Sequence, residues 1–160
     1  MKLWYVSKYA KTPSTGLPTR QFFLCKSFAK YGVETTLVLS KSNGCRYKRF
    51  WGLKRLEESY GVNCVLLNGP SITLGLTIKR VFSWILFEVN FWIFCLSVKR
   101  REYPDILVAS SLSLLTFMTA SFAKRKFNCK LILEIRDIWP ESLSEMTRLS
   151  ERNIVIKILR

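Results

Sequence analysis

The chain has no histidine among its 160 residues. Without an imidazole it cannot build a Ser-His-Asp triad, a histidine general base or most zinc sites, which excludes the enzymes that depend on them. It also has no C-x-x-C pair, because its five cysteines are scattered: Cys25, Cys45, Cys64, Cys95 and Cys129. An odd, scattered set behind a start without a secretory signal predicts reduced thiols in the cytosol.

Acidic residues are scarce as well. Asp and Glu total 11 against 26 Lys and Arg, which gives a formal net charge of +15 at pH 7. This imbalance predicts an anionic partner, whether a nucleic acid, a phosphorylated substrate or a membrane surface. With 49% apolar and 23% charged residues, the chain is predicted to form one globular domain and not a disordered segment.

Apolar, β-rich runs alternate with helical patterns along the chain. The predicted strands cover residues 2–9, 33–40, 62–69, 104–111 and 129–137. The predicted helices run from Pro18 to a stop at Gly32, over 79–102 and over 114–126, with a further helix over 49–60. This alternation predicts an α/β fold, a Rossmann-like parallel sheet with helices on both faces.

In an open parallel sheet, ligands bind outside the carboxyl ends of the strands. Three loops fall there: residues 12–20, Ser110-Ser111 and 136–141. In the first loop, Gly16 either lets the backbone approach a phosphate at a helix N-terminus or serves a tight turn with positive φ. In the second loop, the serine hydroxyls either bind a ligand or cap the following helix.

The third loop follows the strand in "LILEIRDIWPESL", residues 131–143. Glu134 and Arg136 project to one side of this strand and Asp137 to the other. One interpretation is a salt bridge with a tryptophan covering the sheet edge. We favour a functional role, because these charges coincide with the edge where such a fold binds its ligands.

The segment "VFSWILFEVNFWIFCLSV" (81–98) is apolar on nearly all sides and has basic residues at both ends. Its length is at the lower limit for spanning a bilayer. Two basic flanks favour a helix that lies on an anionic membrane over one that spans it. A core helix or a protein interface are the alternatives. The predicted membrane contacts are Trp84, Phe87, Phe91, Trp92, Lys99, Arg100 and Arg101.

Further basic clusters lie at 46–49, 54–55 and 124–126, and with nearby Phe50 and Trp51 they could bind nucleic acid. No recognised nucleic-acid-binding motif accompanies them, so nucleic acid is the less favoured partner. Anionic lipid headgroups account for the positive charge and the apolar helix together.

Four stretches carry a resemblance to a known family: "KLWYVSKY", the Gly16 loop leading into "PTRQFFLCKSFAKYGVETTLVLS", "PDILVASS" and "LILEIRDIWPESL". With these, nearly the whole chain resembles the amino-terminal, acceptor-side domain of bacterial family 4 glycosyltransferases of the GT-B fold. The resembling enzymes build capsular polysaccharide, O-antigen or exopolysaccharide. The first two stretches are generic to parallel-sheet domains, whereas a strand closing on E-x-R-D-x-W-P-E-S is specific.

The resemblance implies a retaining transfer of sugar from a nucleotide-sugar, which is a substrate, to a lipid-linked saccharide acceptor, with no cofactor and no bound metal. It implies catalytic roles for Arg136 and Asp137 and donor-phosphate binding by Thr15 and Gly16. The implied location is cytoplasmic, peripheral on the inner face of the cell membrane. The residues expected to bind the acceptor are Arg20, Ser110, Ser111 and Glu141.

We expect residues 1–160 to form the amino-terminal domain of such an enzyme, with the donor-binding carboxy-terminal domain absent. The chain is then expected to be the acceptor-binding half of a transferase and inactive alone. Two other functions stay open. One is a non-catalytic subunit that recruits a separate donor-binding chain to the membrane, and the other is a basic, nucleic-acid-binding Rossmann-like module.

Overall fold

The structure is a computed structural model that describes residues 1–41, 53–58, 61–69, 78–111 and 114–135. Within these residues the helices are α1 (Arg20–Lys30), α2 (Ile78–Ser97) and α3 (Leu114–Phe127). The strands are β1 (Lys2–Val6), β2 (Glu34–Ser40), β3 (Leu53–Glu58), β4 (Val62–Leu67), β5 (Ile106–Ser111) and β6 (Lys130–Ile135).

The strands form one sheet in the order β3-β4-β2-β1-β5-β6. Five of them run parallel, and only the edge strand β3 is antiparallel to its neighbour β4. β1 lies in the centre, where Leu3 stands opposite Thr35 of β2 on one side and Ile106 of β5 on the other. The predicted α/β, Rossmann-like fold is confirmed.

Each face of the sheet carries its own apolar core, and β1 contributes to both. Trp4 and Val6 belong to the cluster under α2 and α3. Leu3 and Tyr5 belong to the cluster under α1. Successive side chains of a strand point to opposite faces, so this division follows directly from the strand geometry. Helices therefore cover both faces, as predicted.

Helix α1 packs on its face through Phe22 and Cys25, which are 1% and 0% exposed. It ends in a Schellman motif, in which Gly32 N–H donates to the carbonyl of Ala29 at 3.0 Å and Val33 N–H donates to that of Phe28 at 3.2 Å. Gly32 takes a φ of 78°, a conformation that glycine adopts without steric cost. The predicted stop at this glycine is confirmed.

Helices α2 and α3 pack side by side on the other face. Phe94 of α2 stacks on Trp4 with ring centroids 5.1 Å apart, and Phe127 of α3 meets the same indole edge-on at 5.2 Å. α3 buries two small residues, Ala120 and Ala123, both 0% exposed, which lets it approach the sheet closely. α2 ends at Ser97 and a 3-10 turn follows over Arg100–Glu102, so the predicted helix over 79–102 is shortened.

The predicted helix over 49–60 is wrong, because residues 53–58 form strand β3. Leu53 pairs with Leu67 and Glu58 with Val62, which makes an antiparallel hairpin with β4. The sequence "LKRLEE" repeats leucine at a helical spacing of three, and this local pattern was misleading. Without β3, β4 would present an unpaired edge, and the backbone hydrogen bonds gained by covering it outweigh a weak helical preference.

At the amino edge of the sheet, Asp105 links the starts of β1 and β6 by hydrogen bonds. Its carboxylate accepts a hydrogen bond of 2.6 Å from the backbone N–H of Lys2, and its carbonyl accepts one of 2.9 Å from Lys130. An open cavity of about 590 Å³ lies at this edge. Its lining residues are Arg100, Tyr103, Pro104, Asp105, Phe127, Asn128, Cys129 and Lys130.

The described cysteines are buried free thiols, and they are Cys25, Cys64, Cys95 and Cys129. Burial raises the pKa of the Cys25 thiol and of the Cys95 thiol to about 12. A thiol that stays protonated is a poor nucleophile, so these two residues serve the core and not a reaction. Cys45 lies outside the described residues.

Candidate functional site

The direction of strand connection reverses between β1 and β5. From β1 the chain first proceeds to β2 and β4 on one side, and later to β5 and β6 on the other. At such a switch point the loops above the carboxyl ends of the two strands diverge and leave a crevice, which is where open α/β sheets bind their ligands. In this chain the loop after β1, the start of α1 and the ends of β5 and β6 surround it.

The loop after β1 is held by its own hydrogen bonds. Thr15 and Gly16 both donate their N–H to the carbonyl of Thr12 at 2.9 Å, and the Thr15 hydroxyl accepts from Thr12 N–H at 2.8 Å. Gly16 has a φ of 153°, and a Cβ there would lie 3.4 Å from Cδ of Lys11. These contacts favour the tight-turn interpretation of Gly16. Phosphate binding by Thr15 and Gly16 stays a prediction, and their backbone donors are already engaged.

The start of α1 has no side-chain cap. Thr19 occupies the N-cap position, but its hydroxyl accepts a hydrogen bond of 3.1 Å from the N–H of Lys11, and the first turn holds no acidic residue. The helix start therefore has no capping side chain and no acidic residue of its own to offset the positive end of the helix dipole. Such a helix start favours a negatively charged group nearby.

Three elements meet at the carboxylate of Glu134, at the end of β6. The hydroxyl of Tyr5 on β1 donates to one carboxylate oxygen, and the guanidinium of Arg20 on α1 forms an ion pair with the other. The Glu134 side chain is 21% exposed and that of Arg20 is 62% exposed. Glu134 thus fixes the direction of a guanidinium that still offers N–H groups to the crevice.

Two buried polar atoms near this ion pair have no hydrogen-bond partner in the described part of the chain: Oγ of Ser110 and Nε2 of Gln21. Ser110 is 5% exposed and Gln21 is 2% exposed. Ser110 stands opposite Glu134 in the strand register, on the face that α1 covers, and Gln21 follows Arg20 in the helix. A buried, unsatisfied polar group costs about 1–3 kcal/mol, so a pair of them at one edge indicates a place for a ligand or water.

We call this group the α1 cradle: Tyr5, Arg20, Gln21, Ser110 and Glu134. It combines a cation held by a carboxylate, a helix start, the Tyr5 hydroxyl that donates to that carboxylate, and a serine hydroxyl and an amide donor that have no partner among the described residues. These are the groups that bind a phosphate, a pyrophosphate or the hydroxyls of a sugar.

The sequence predicted Arg20 and Ser110 as ligand-binding residues, and the structure brings both to the α1 cradle. Ser111 is the last residue of β5 at the same edge. Arg136, Asp137 and Glu141 lie outside the described residues, so their predicted roles are untested. They follow Glu134 in the chain by two, three and seven positions.

Sequence reasoning missed Tyr5 and Gln21 as site residues. In the sequence, Tyr5 has the pattern of an ordinary aromatic residue in a buried strand, and it is 2% exposed. Its hydroxyl nevertheless donates to the carboxylate of Glu134, 129 positions away. Gln21 gave one usable signal: it precedes Phe22 and lies on the same helix face as Cys25, so a polar residue begins an apolar stripe.

A second polar group lies on the opposite face of the same sheet edge. Lys8, just after β1, is 7% exposed and donates a hydrogen bond of 2.6 Å to the hydroxyl of Ser83 on α2. Glu88, five residues further along α2, is 6% exposed and accepts hydrogen bonds of 2.5 Å from the hydroxyls of Thr116 and Thr119 on α3. Burial raises the pKa of the Glu88 carboxyl, while the two threonine hydrogen bonds and the charge of Lys8 oppose that rise.

This second group is satisfied within the protein. The carboxylate has two donors, and the ammonium of Lys8 also lies 4.9 Å from the centre of the Tyr9 ring. The phenol of Tyr9 in turn accepts a hydrogen bond of 2.6 Å from the indole of Trp84. The arrangement joins α2, α3 and the end of β1, and we assign it a structural role.

The predicted membrane contacts divide into two sets. Phe87 and Phe91 are 1% and 0% exposed and belong to the core under α2, so their prediction as membrane contacts is wrong. A helix that is apolar on all sides gives no indication of which face meets the sheet. Trp84 is half-buried, and Trp92 is 49% exposed. The exposed basic residues that follow α2 are Lys99, Arg100 and Arg101.

Among the described helices, none combines the length and the hydropathy that crossing a bilayer requires. The described residues also contain no group of three or more Cys, Asp or Glu side chains arranged to hold a metal ion. The expectation of a metal-free site stays a prediction, since the carboxylates of Asp137 and Glu141 fall outside these residues.

Comparison with known proteins assigns the chain to no family. No protein-family model matches the chain, and no curated protein matches it.

Proposed function

We propose that this chain is the acceptor-binding half of a retaining glycosyltransferase that extends a saccharide in capsule, O-antigen or exopolysaccharide synthesis. The observation that carries the proposal is the α1 cradle at the topological switch point of a Rossmann-like sheet. It lies at the edge where such a half-enzyme would meet its donor-binding partner domain, and its donors suit phosphate and hydroxyl groups.

The motif that carries the family resemblance supports the same location. Its first residue, Glu134, is a member of the α1 cradle, because its carboxylate holds Arg20 and Tyr5. The chain continues from there into Arg136 and Asp137, which we propose to line the transfer cleft. In the proposed reaction the bond from the sugar's anomeric carbon to the nucleoside diphosphate breaks. A bond from that carbon to the acceptor hydroxyl oxygen forms, and the hydroxyl proton passes to the phosphate oxygen of the departing nucleoside diphosphate.

The proposed acceptor is a saccharide on a pyrophosphate-linked lipid, and the proposed location is the inner face of the cell membrane, peripherally bound. The formal charge of +15 supports an acceptor that carries negative charge. Within the α1 cradle, Arg20 and the uncapped helix start would receive the pyrophosphate, and Ser110 and Gln21 would bind phosphate or sugar oxygens.

Calorimetric titration of the chain tests this proposal. The ligands are a short-chain, water-soluble polyprenyl-pyrophosphate saccharide and, separately, the same saccharide without phosphate. We expect the pyrophosphate ligand to bind and Arg20→Gln to weaken it by about tenfold to a hundredfold, as removal of a charged hydrogen-bond donor does. Lys30→Gln is the matched control, because it removes one cation from the other, exposed end of α1.

Equal loss in the Arg20→Gln and Lys30→Gln variants would show unspecific charge attraction and contradict the proposal. A short RNA is titrated in parallel, and tight, steeply salt-dependent binding of RNA with none of the pyrophosphate ligand would favour the nucleic-acid-binding alternative.

A further inference from the structure

We propose that α2 and α3 together form a docking surface for an anionic membrane. The surface consists of the large apolar side chains on the outer faces of both helices, each between 37% and 70% exposed. On α2 they are Phe82, Ile85, Val89, Trp92, Ile93 and Leu96, and on α3 they are Leu115, Met118 and Phe122. We call this set the outer apolar face.

The outer apolar face is distinct from the core. Its positions on α2 recur at spacings of three and four and so lie on one side of the helix. The opposite side of α2, with Phe87, Phe91 and Phe94, is already buried against the sheet. Helix α2 thus has a second apolar side that the described part of the chain leaves exposed. Soluble monomers rarely leave a continuous apolar surface of this kind open, and where they do it marks an interaction site.

The two helices contribute to one continuous surface. The rings of Trp92 on α2 and Phe122 on α3 meet edge to face with centroids 5.6 Å apart. At the end of both helices, the ammonium of Lys126 donates a hydrogen bond of 3.5 Å to the carbonyl of Leu96. Within the domain, Glu88 also links α2 to Thr116 and Thr119 of α3. The helices are therefore fixed relative to each other, and their exposed apolar side chains act as a unit.

Charge identifies the occupant as anionic. Both helices end at the amino edge of the sheet, where six cations collect: Lys99, Arg100 and Arg101 after α2, and Lys124, Arg125 and Lys126 at the end of α3. The single acidic residue within α2 and α3 is Glu88, which is buried under the helices. An apolar face that has no acidic side chain of its own, and that ends in six cations against the two acids Glu102 and Asp105, matches the boundary between acyl chains and anionic headgroups.

The cavity at the amino edge opens beside these cations. Arg100 and Lys130 are among its lining residues, together with Tyr103, Asn128 and Asp105, whose carboxylate accepts a hydrogen bond from Lys2 N–H. Its volume of about 590 Å³ has room for a phosphate headgroup next to the bilayer surface. We therefore expect phosphate-bearing anionic lipids to bind at this end of the surface.

On the membrane we expect α2 and α3 to lie parallel to the bilayer plane, because neither helix is long and apolar enough to cross it. This inference does not depend on the proposed transfer reaction. It concerns the face of the sheet opposite to α1, so its failure would leave the α1 cradle and the titration of its ligands untouched.

Co-sedimentation of the 160-residue chain with vesicles tests the inference. One vesicle is phosphatidylcholine alone and the other is phosphatidylcholine with phosphatidylglycerol. The key variant carries Ile93→Glu and Met118→Glu, at positions that are 56% and 70% exposed. Its matched control carries Phe23→Glu and Tyr31→Glu, at apolar positions on the α1 side that are 54% and 87% exposed.

We expect the chain and the control to sediment with phosphatidylglycerol vesicles and the Ile93→Glu, Met118→Glu variant to lose this binding. Equal loss of vesicle binding in the two double variants would overturn the proposal, because the added negative charge alone would then explain the loss. Absence of binding by the unmodified chain would overturn it as well. If the unmodified chain is a dimer in solution and the key variant is a monomer, the outer apolar face binds a second copy of the chain and not a membrane. That outcome would also overturn the proposal.

A third variant separates charge from apolar contact. Replacing Arg101, Lys124 and Arg125 by Gln should weaken binding to phosphatidylglycerol vesicles on the order of a hundredfold, because each cation near an anionic surface contributes substantially. Binding to phosphatidylcholine should change little. The fluorescence of Trp92 gives an independent readout: a blue shift on vesicle binding that Trp92→Phe removes without removing binding. A shift that persists in Trp92→Phe would contradict insertion of this face.

Discussion

The hydroxyl of Thr119 on α3 donates a hydrogen bond of 2.5 Å to the buried carboxylate of Glu88 on α2. Thr116 donates to the other oxygen of the same group. A polar connection between two helices is therefore built into an otherwise apolar layer. It fixes how α2 and α3 lie against each other, and so fixes the shape of the surface that they share.

Glu88 should make stability depend on pH. Its pKa is raised from 4.5 in the folded chain, so between 4.5 and the folded value the folded state binds more protons than the unfolded state. The free energy of unfolding therefore falls as pH rises through that window, and the loss is complete above the folded pKa. Glu88→Gln removes this titration. The variant should gain stability over the natural chain as pH rises, by about 1.4 kcal/mol for each unit of the raised pKa.

Urea unfolding of both proteins between about pH 4 and pH 8 measures this difference. Glu34→Gln serves as the control, because it removes a carboxylate whose side chain is 57% exposed. A stability difference between Glu88→Gln and the natural chain that does not change with pH would contradict the prediction.

Replacing single side chains of α2 by alanine should distinguish its two apolar sides. Phe87→Ala is expected to lower the free energy of unfolding by about 3–5 kcal/mol, because it leaves a cavity under the helix. Ile93→Ala, on the same helix at 56% exposure, is expected to change it by no more than about 0.5 kcal/mol. Thermal and urea unfolding of the two variants compares them. Similar losses for both would mean that Ile93 is covered in solution.

Removing the unpaired hydroxyl of Ser110 should not destabilise the ligand-free chain. Because that oxygen has no partner in the described residues, Ser110→Ala is expected to raise the free energy of unfolding by about 1 kcal/mol. In the calorimetric titration, the same variant should bind the pyrophosphate ligand with lower affinity than the natural chain does. Thr35→Val is the control, since the buried Thr35 hydroxyl donates to the carbonyl of Val33 at 3.0 Å. That variant should lose stability, and a loss in Ser110→Ala too would indicate a hydrogen bond that the structure does not contain.

The Schellman motif at the end of α1 gives a backbone prediction. Gly32→Ala should lower the free energy of unfolding by about 1 kcal/mol, since a Cβ disfavours a φ of 78°. Gly32→Asn should cost less, because asparagine tolerates the left-handed conformation. Urea unfolding of both variants measures the order. Equal stability of the alanine variant and the natural chain would mean that the helix end rearranges.

The order of elements could be predicted from the sequence because the strands are short apolar, β-rich runs that alternate with segments of helical periodicity. The run from Cys129 predicted a strand that is observed as β6, and Gly32 marked a helix end that is observed. β3 could not be predicted, because "LKRLEE" has no strand alternation and pairs only because β4 offers an edge. Long-range pairing, and not local preference, decides such a segment.

The α1 cradle was predictable only in part. The fold rule singled out the loop that ends at Arg20 and the strand end at Ser110, and the family resemblance implied that both residues bind the acceptor. The role of Tyr5 depends on a contact with Glu134, 129 residues away, that no local pattern encodes. The prediction for Phe87 and Phe91 failed for a related reason, since a helix with two apolar sides needs the sheet to decide which one is buried.

The position of β1 has a consequence for how the chain folds during synthesis. Its first partner, β2, leaves the ribosome soon after it, but its second partner, β5, begins 100 or so residues later, since Leu3 pairs with Ile106. Until then β1 is an exposed edge, although it carries a large aromatic side chain toward each core, Trp4 and Tyr5. Closure of the sheet is thus a step of high contact order, and the nascent β1-α1-β2 unit is the species most exposed to aggregation and to chaperones.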